Sequence, residues 1–128
     1  MRGLRSATTL AMVAAALSVT AAPAALADSG RLTLGIRWHD TGVTETVTLS
    51  CDPVGGTHPD AADACADLAK ADGDITRIPP ANAVCVAVYE PVTAYASGTW
   101  NGRSVYFSKV CTNDACADVA TGGNVFHF

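Results

Sequence analysis

The sequence contains no glutamine, only two methionines, and an odd number of cysteines, five. Without glutamine the chain offers no acyl donor to a transglutaminase, although Lys70 and Lys109 remain as amine donors. No Gly-x-Ser-x-Gly, His-Glu-x-x-His or Cys-x-x-Cys motif occurs. That removes the nucleophile elbow, the zinc-protease helix and the paired-thiolate metal site from consideration, and no cofactor is expected. Positive charge is scarce: 8 Lys and Arg stand against 12 Asp and Glu, and two of the basic residues, Arg2 and Arg5, sit at the extreme N-terminus. The remaining chain carries six basic against twelve acidic residues, without a basic cluster. Such an acidic surface argues against nucleic acid and anionic membranes as partners. After residue 19 no further long apolar run follows, so no membrane anchor is expected.

What is present starts with an export pattern. Arg2 and Arg5 precede an apolar run, Leu10 to Val19, interrupted only by Ser18, and Ala25-Leu26-Ala27 is a small-x-small cleavage site. Residues 1–27 read as a signal peptide and 28–128 as one secreted, extracellular domain. Both methionines, Met1 and Met12, fall in the leader. All five cysteines (Cys51, Cys65, Cys85, Cys111 and Cys116) fall in the domain, where export makes disulfides the expected state. At most two intramolecular bridges form, leaving one thiol. Cys51 and Cys65 enclose Pro53, Gly55, Gly56 and Pro59, which suits local pairing; closing such a loop is worth roughly 3 kcal/mol. Spacing alone leaves Cys111 and Cys116 both open as partners of Cys85.

No repeat or linker divides the domain. Arg31–Trp38 and Val43–Cys51 alternate apolar residues and read as half-buried strands joined at Asp40-Thr41-Gly42. The second places Val43, Glu45, Val47 and Leu49 on one face. Asp60–Ala71 reads as a helix capped by Asp60 and stopped by Gly73. Val84–Tyr89 is continuously apolar between Pro79-Pro80 and Pro91, and by pattern alone reads as a buried strand. Val92–Ala96 and Thr99–Val110 form a hairpin around Ser97-Gly98, with Asn101-Gly102 as a competing turn. A short helix over Asn113–Ala120 and a last strand over Asn124–Phe128 complete an α+β arrangement.

Candidate catalytic groups are few. His39 lies at a strand end, His58 in a Thr-His-Pro turn and His127 next to last, none beside an evident nucleophile. Asp63 and Asp67 share a helix face, which reads as solvated.

The order of several short motifs resembles the Streptomyces subtilisin inhibitor family: Val47-Thr48-Leu49-Ser50-Cys51, Gly56-Thr57-His58-Pro59 and Ala64-Cys65-Ala66-Asp67-Leu68; then Cys85-Val86-Ala87-Val88-Tyr89-Glu90-Pro91-Val92, Gly98-Thr99-Trp100-Asn101-Gly102 and Val125-Phe126-His127-Phe128. The resemblance implies a five-stranded antiparallel sheet with two short helices, a homodimer, and bridges Cys51–Cys65 and Cys85–Cys116, with Cys111 as the free thiol. It implies a non-enzymatic serine protease inhibitor with a reactive bond at Ala87–Val88. Val84, Cys85 and Val86 then lie on the acyl side, and Val88, Tyr89 and Glu90 on the leaving-group side. The small, uncharged Ala87 suits subtilisin-like proteases first and elastase-like enzymes second, and trypsin poorly. The rival readings are an exported binding module and a protease or cross-linking substrate.

Overall fold

Alternating apolar residues drive four segments into one antiparallel sheet. In a computed structural model of the chain, residues 3, 11–20 and 28–128 are described. The expected cleavage site at Ala25-Leu26-Ala27 and most of the expected leader lie outside them; residues 11–20 form no helix or strand and are exposed. The strands are β1 (Gly30–Trp38), β2 (Thr44–Cys51), β3 (Val92–Trp100) and β4 (Arg103–Cys111), in the spatial order β2-β1-β3-β4. Along β1, Leu32, Leu34 and Ile36 are almost fully buried on one face; each such side chain contributes about 1.5–3 kcal/mol of burial. The same face takes Val47, Leu49, Ala94, Ala96, Trp100 and Phe107. Thr33, Thr46, Thr48, Ser97, Thr99, Ser104, Tyr106 and Ser108 alternate with them and are exposed.

The buried face is covered by helix α1 (Ala61–Lys70), a short 3₁₀ turn at Ile75–Arg77, helix α2 (Asp114–Ala120) and the C-terminal segment. Helix α1 buries Ala64, Cys65 and Leu68. Asp60 precedes it but makes no side-chain capping bond. Its amide instead donates to His58 Nδ1 at 2.9 Å. At the other end the Gly73 amide donates to the Leu68 carbonyl at 2.8 Å, closing the helix as expected of a left-handed glycine.

The class is α+β as read from the sequence, but among the described residues the sheet has four strands, not five. Two expected strands are absent for separate reasons. Val84–Tyr89 has no ladder partner and lies outside the core. Asn124–Phe128 forms turns, because Val125 and Phe126 are consecutive and both buried, which a strand's alternation cannot deliver. That segment is held by side chains: His58 Nε2 donates to the Val125 carbonyl at 2.8 Å and Asn124 Nδ2 donates to Asp67 at 2.9 Å.

The β3–β4 hairpin turns at Asn101-Gly102, not at Ser97-Gly98. Asn101 and Gly102 have φ of 47° and 77°, the left-handed pair that a two-residue hairpin turn requires. Gly98 stays inside β3 because β1 passes close there: a Cβ would run into the Arg31 carbonyl. Trp100 is likewise packed between two glycines, Gly30 and Gly73, at whose Cα a side chain would meet the indole. At the opposite end of the same ladder Trp38 pairs with Val92 and is only partly buried.

Candidate functional site

Residues 79–91 contain no helix or strand, yet they are tied to the rest of the molecule at several points. The Ala81 amide donates to the Val119 carbonyl at 2.8 Å, and the Glu90 amide to the Thr112 carbonyl at 2.9 Å. Between these points Cys85 is bonded to Cys116 near the start of α2 (S–S 2.11 Å). The other bridge, Cys51–Cys65, ties β2 to α1 (S–S 2.06 Å), and Cys111 is free and buried. Burial pushes the Cys111 thiol up from its ordinary value, against a smaller lowering by Lys109.

One buried side chain links the loop to the scaffold. Asn113, 2% exposed, caps α2 by accepting the Cys116 amide at Oδ1 (2.8 Å). Its Nδ2 group donates to the Val86 carbonyl at 2.9 Å and the Val88 carbonyl at 2.7 Å. The amide therefore grips the backbone on both sides of Ala87, and its donors and its oxygen are all used. Asn at this position reads from the sequence only as a helix start. A capping Asn, unlike Asp or Ser, also has two N–H donors left over, and that was the available signal.

The outward side of the loop is bare. Val84 is 97% exposed, Val86 62%, Val88 53% and Tyr89 83%, while Ala87 and Glu90 are exposed too. Among the described residues, neither the amide nor the carbonyl of Ala87 makes a hydrogen bond. A run of exposed apolar side chains on a tethered backbone is a candidate contact surface. The larger grooves, of about 460 Å³ beside Ile78 and Phe107 and about 490 Å³ beside Asp60 and His127, lie away from it.

The groups weighed for catalysis are dispersed. Both ring nitrogens of buried His58 are engaged, with Asp60 N–H and the Val125 carbonyl. His39 Nε2 lies 2.7 Å from Thr93 Oγ1. His127 Nδ1 lies 2.9 Å from Asp118 and its Nε2 3.7 Å from Asp60; the hydrogen bond with Asp118 raises this imidazole above its ordinary range. Asp63 is exposed, and Asp67 accepts from Asn124. Among the described residues no group of three or more His, Cys, Asp or Glu is placed to hold a metal ion, and no helix is long and apolar enough to cross a membrane.

The structure thus presents an exposed loop, cross-linked to the scaffold through Cys85–Cys116, at the surface of an α+β domain. Comparison with known proteins gives the family. The profile described as subtilisin inhibitor-like matches residues 22–113. The subtilisin inhibitor of Streptomyces albogriseolus is 39% identical over 113 residues, covering 84% of this chain and 78% of the relative. Subtilisin inhibitor-like protein 4 of Streptomyces lavendulae is 38% identical over 114 residues, covering 84% and 97%. Among solved structures, Streptomyces caespitosus sermetstatin, determined in complex with Bacillus licheniformis subtilisin, aligns with a TM-score of 0.61 at 28% identity, covering 77% of this chain and 98% of that one. The chain belongs to the subtilisin inhibitor-like family.

Proposed function

We propose that the chain is a secreted, substrate-like inhibitor of subtilisin-type serine proteases, with its reactive bond at Ala87–Val88 and no catalytic activity of its own. The observation that carries this reading is the clamp of Asn113 on the carbonyls flanking Ala87, behind an exposed apolar strip whose central carbonyl is unengaged. A protease binds its substrate as an extended strand. A loop already held in that shape loses little entropy on docking, so more of the contact energy appears as affinity. The protease serine attacks the Ala87 carbonyl. The Cys85–Cys116 bridge, Asn113 and the Glu90–Thr112 hydrogen bond then keep the new Val88 amine beside the acyl carbon. Re-formation of the bond outruns hydrolysis, and the substrate becomes a trap.

Ala87 brings no charge to a pocket with a basal aspartate and little bulk to a deep apolar one. Subtilisin-like enzymes are the expected first target, with Val84 supplying apolar contact three positions before Ala87, and elastase-like enzymes the second. Family kinship supports a homodimer, to be read by sedimentation velocity. Export is supported by the Leu10–Val19 run and Ala25-Leu26-Ala27, and N-terminal sequencing of secreted protein is expected to start at Asp28.

Titration of subtilisin with residues 28–128 tests the whole reading. Stoichiometric loss of activity with slow cleavage only at Ala87–Val88 is expected. An intact fold without inhibition of subtilisin or an elastase-like enzyme would favour the exported binding module instead.

A further inference from the structure

The β1–β2 connection ends beside the reactive loop. Strands β1 and β3 pair down to Trp38 opposite Val92, so the turn after Trp38 and the loop before Val92 share one end of the sheet. The two are fastened directly: the His39 amide donates to the Pro91 carbonyl at 3.0 Å. The turn is itself closed. Trp38 N–H donates to the Val43 carbonyl and Gly42 N–H to the Trp38 carbonyl, each at 2.9 Å. Thr41 N–H donates to Asp40 Oδ1 at 2.8 Å, and Val43 N–H to Thr41 Oγ1 at 3.2 Å. Val43 was expected to share an inward face with Val47 and Leu49. It is 58% exposed instead, while Val47 and Leu49 are buried.

The size of the interface makes this neighbour matter. Protease–inhibitor contacts bury about 800 Å² and roughly 20–30 residues on each side. The loop from Val84 to Pro91 supplies eight residues. Flanking elements must supply the rest, and His39–Val43 is bonded to the loop's downstream end.

We propose that the β1–β2 turn, His39–Val43, is a second contact strip for the inhibited protease. It meets the rim of the cleft on the leaving-group side, with Val43 as its apolar contact. This rests on the inhibitory reading and extends it. Asp40 and Glu90 sit one residue either side of the His39–Pro91 hydrogen bond, and both are exposed. The rim that fits this strip therefore pairs an apolar spot with polar or basic groups, not acidic ones.

The test uses residues 28–128 and Bacillus licheniformis subtilisin. Val43→Glu is expected to weaken inhibition about tenfold, as for burial of a charge against an apolar contact, with cleavage still confined to Ala87–Val88. Ser104→Glu, at the far end of the sheet, is expected to leave inhibition unchanged. Should Val43→Glu fail to fold, Thr41→Glu carries the same expectation. Hydrogen exchange of the complex is expected to protect the Asp40 amide as well as the amides of residues 84–90. An inhibition constant within about twofold of the parent for the folded variant, or exchange protection confined to the loop, overturns the proposal while leaving the inhibitory reading intact. Absence of inhibition by the parent protein overturns the inhibitory reading first.

Discussion

The two disulfides do different work. Cys51 and Cys65 are 3% and 7% exposed and join a strand to a helix that already pack against each other through Val47, Leu49, Ala64 and Leu68. Cys85 and Cys116 are partly exposed, and Cys85 belongs to a segment that contributes nothing to the core. In the first region the bridge adds to packing. In the second, a bridge, one Asn side chain and backbone hydrogen bonds at Ala81, Glu90 and Pro91 stand in for packing, which leaves the apolar side chains free to face outward. A segment can thus be as apolar as a core strand and remain outside the core, provided something other than burial holds its shape.

The comparison breaks most visibly when each bridge is removed. Cys51→Ser with Cys65→Ser is expected to cost about 2–5 kcal/mol in urea unfolding, while the molecules that remain folded still inhibit. Cys85→Ser with Cys116→Ser is expected to weaken subtilisin inhibition about 100-fold or more, because the leaving amine is freed and pre-organisation is lost. Equal inhibition by both double variants would show that the two bridges do not differ in the way described.

Next in size is the chemistry of the exposed strip. Ala87→Lys is expected to leave stability unchanged and to strengthen trypsin inhibition by about tenfold to a hundredfold, the worth of a charge-assisted contact. Trypsin inhibition that does not improve would mean that the reactive bond lies elsewhere.

Asn113 separates holding the loop from capping the helix. Asn113→Ser keeps a capping oxygen but loses the amide that reaches the Val86 and Val88 carbonyls, so cleavage at Ala87–Val88 is expected to quicken about tenfold while the cap is retained. Asn113→Ala is expected to lose about 1 kcal/mol in addition, through the missing cap. Timed peptide mapping and urea unfolding read the two effects independently.

The smallest effect concerns pH. Asp118 raises the His127 imidazole above its unfolded value. The stabilisation from this pair is therefore full below about pH 6.5, the ordinary imidazole value, and is lost as pH rises through the higher folded value. Because the His127 side chain is 61% exposed, the effect is expected to stay under about 1 kcal/mol. Unfolding of the parent and His127→Ala on both sides of that range checks the sign.

Much of the scaffold is legible in the sequence because alternation and capping act locally. Leu32, Leu34 and Ile36 announce β1, and Gly73 announces the end of α1. The loop shows the limit of pattern reading. Val84 to Tyr89 carries the composition of a buried strand, and nothing local says that a residue 27 positions after Val86 will hold its carbonyl. Only the motif order suggested exposure. The preference for Ser97-Gly98 over the competing Asn101-Gly102 turn, and the strand expected over Asn124–Phe128, fail for a related reason. Gly98 serves the passage of β1 instead of a turn, and the last segment is pinned by His58 and Asn124 side chains that no periodicity records.

The pairing of the β1–β3 ladder has a consequence for observation. The chain has two tryptophans, Trp38 and Trp100, and the ladder sets them at opposite ends of the same two strands. Trp100 is sealed between glycines, whereas Trp38 is partly open beside the strand that leaves the loop. The molecule therefore carries two intrinsic fluorophores in unlike surroundings. Replacing either with Phe isolates the other, so that docking and unfolding can be followed as separate optical signals without attaching a dye.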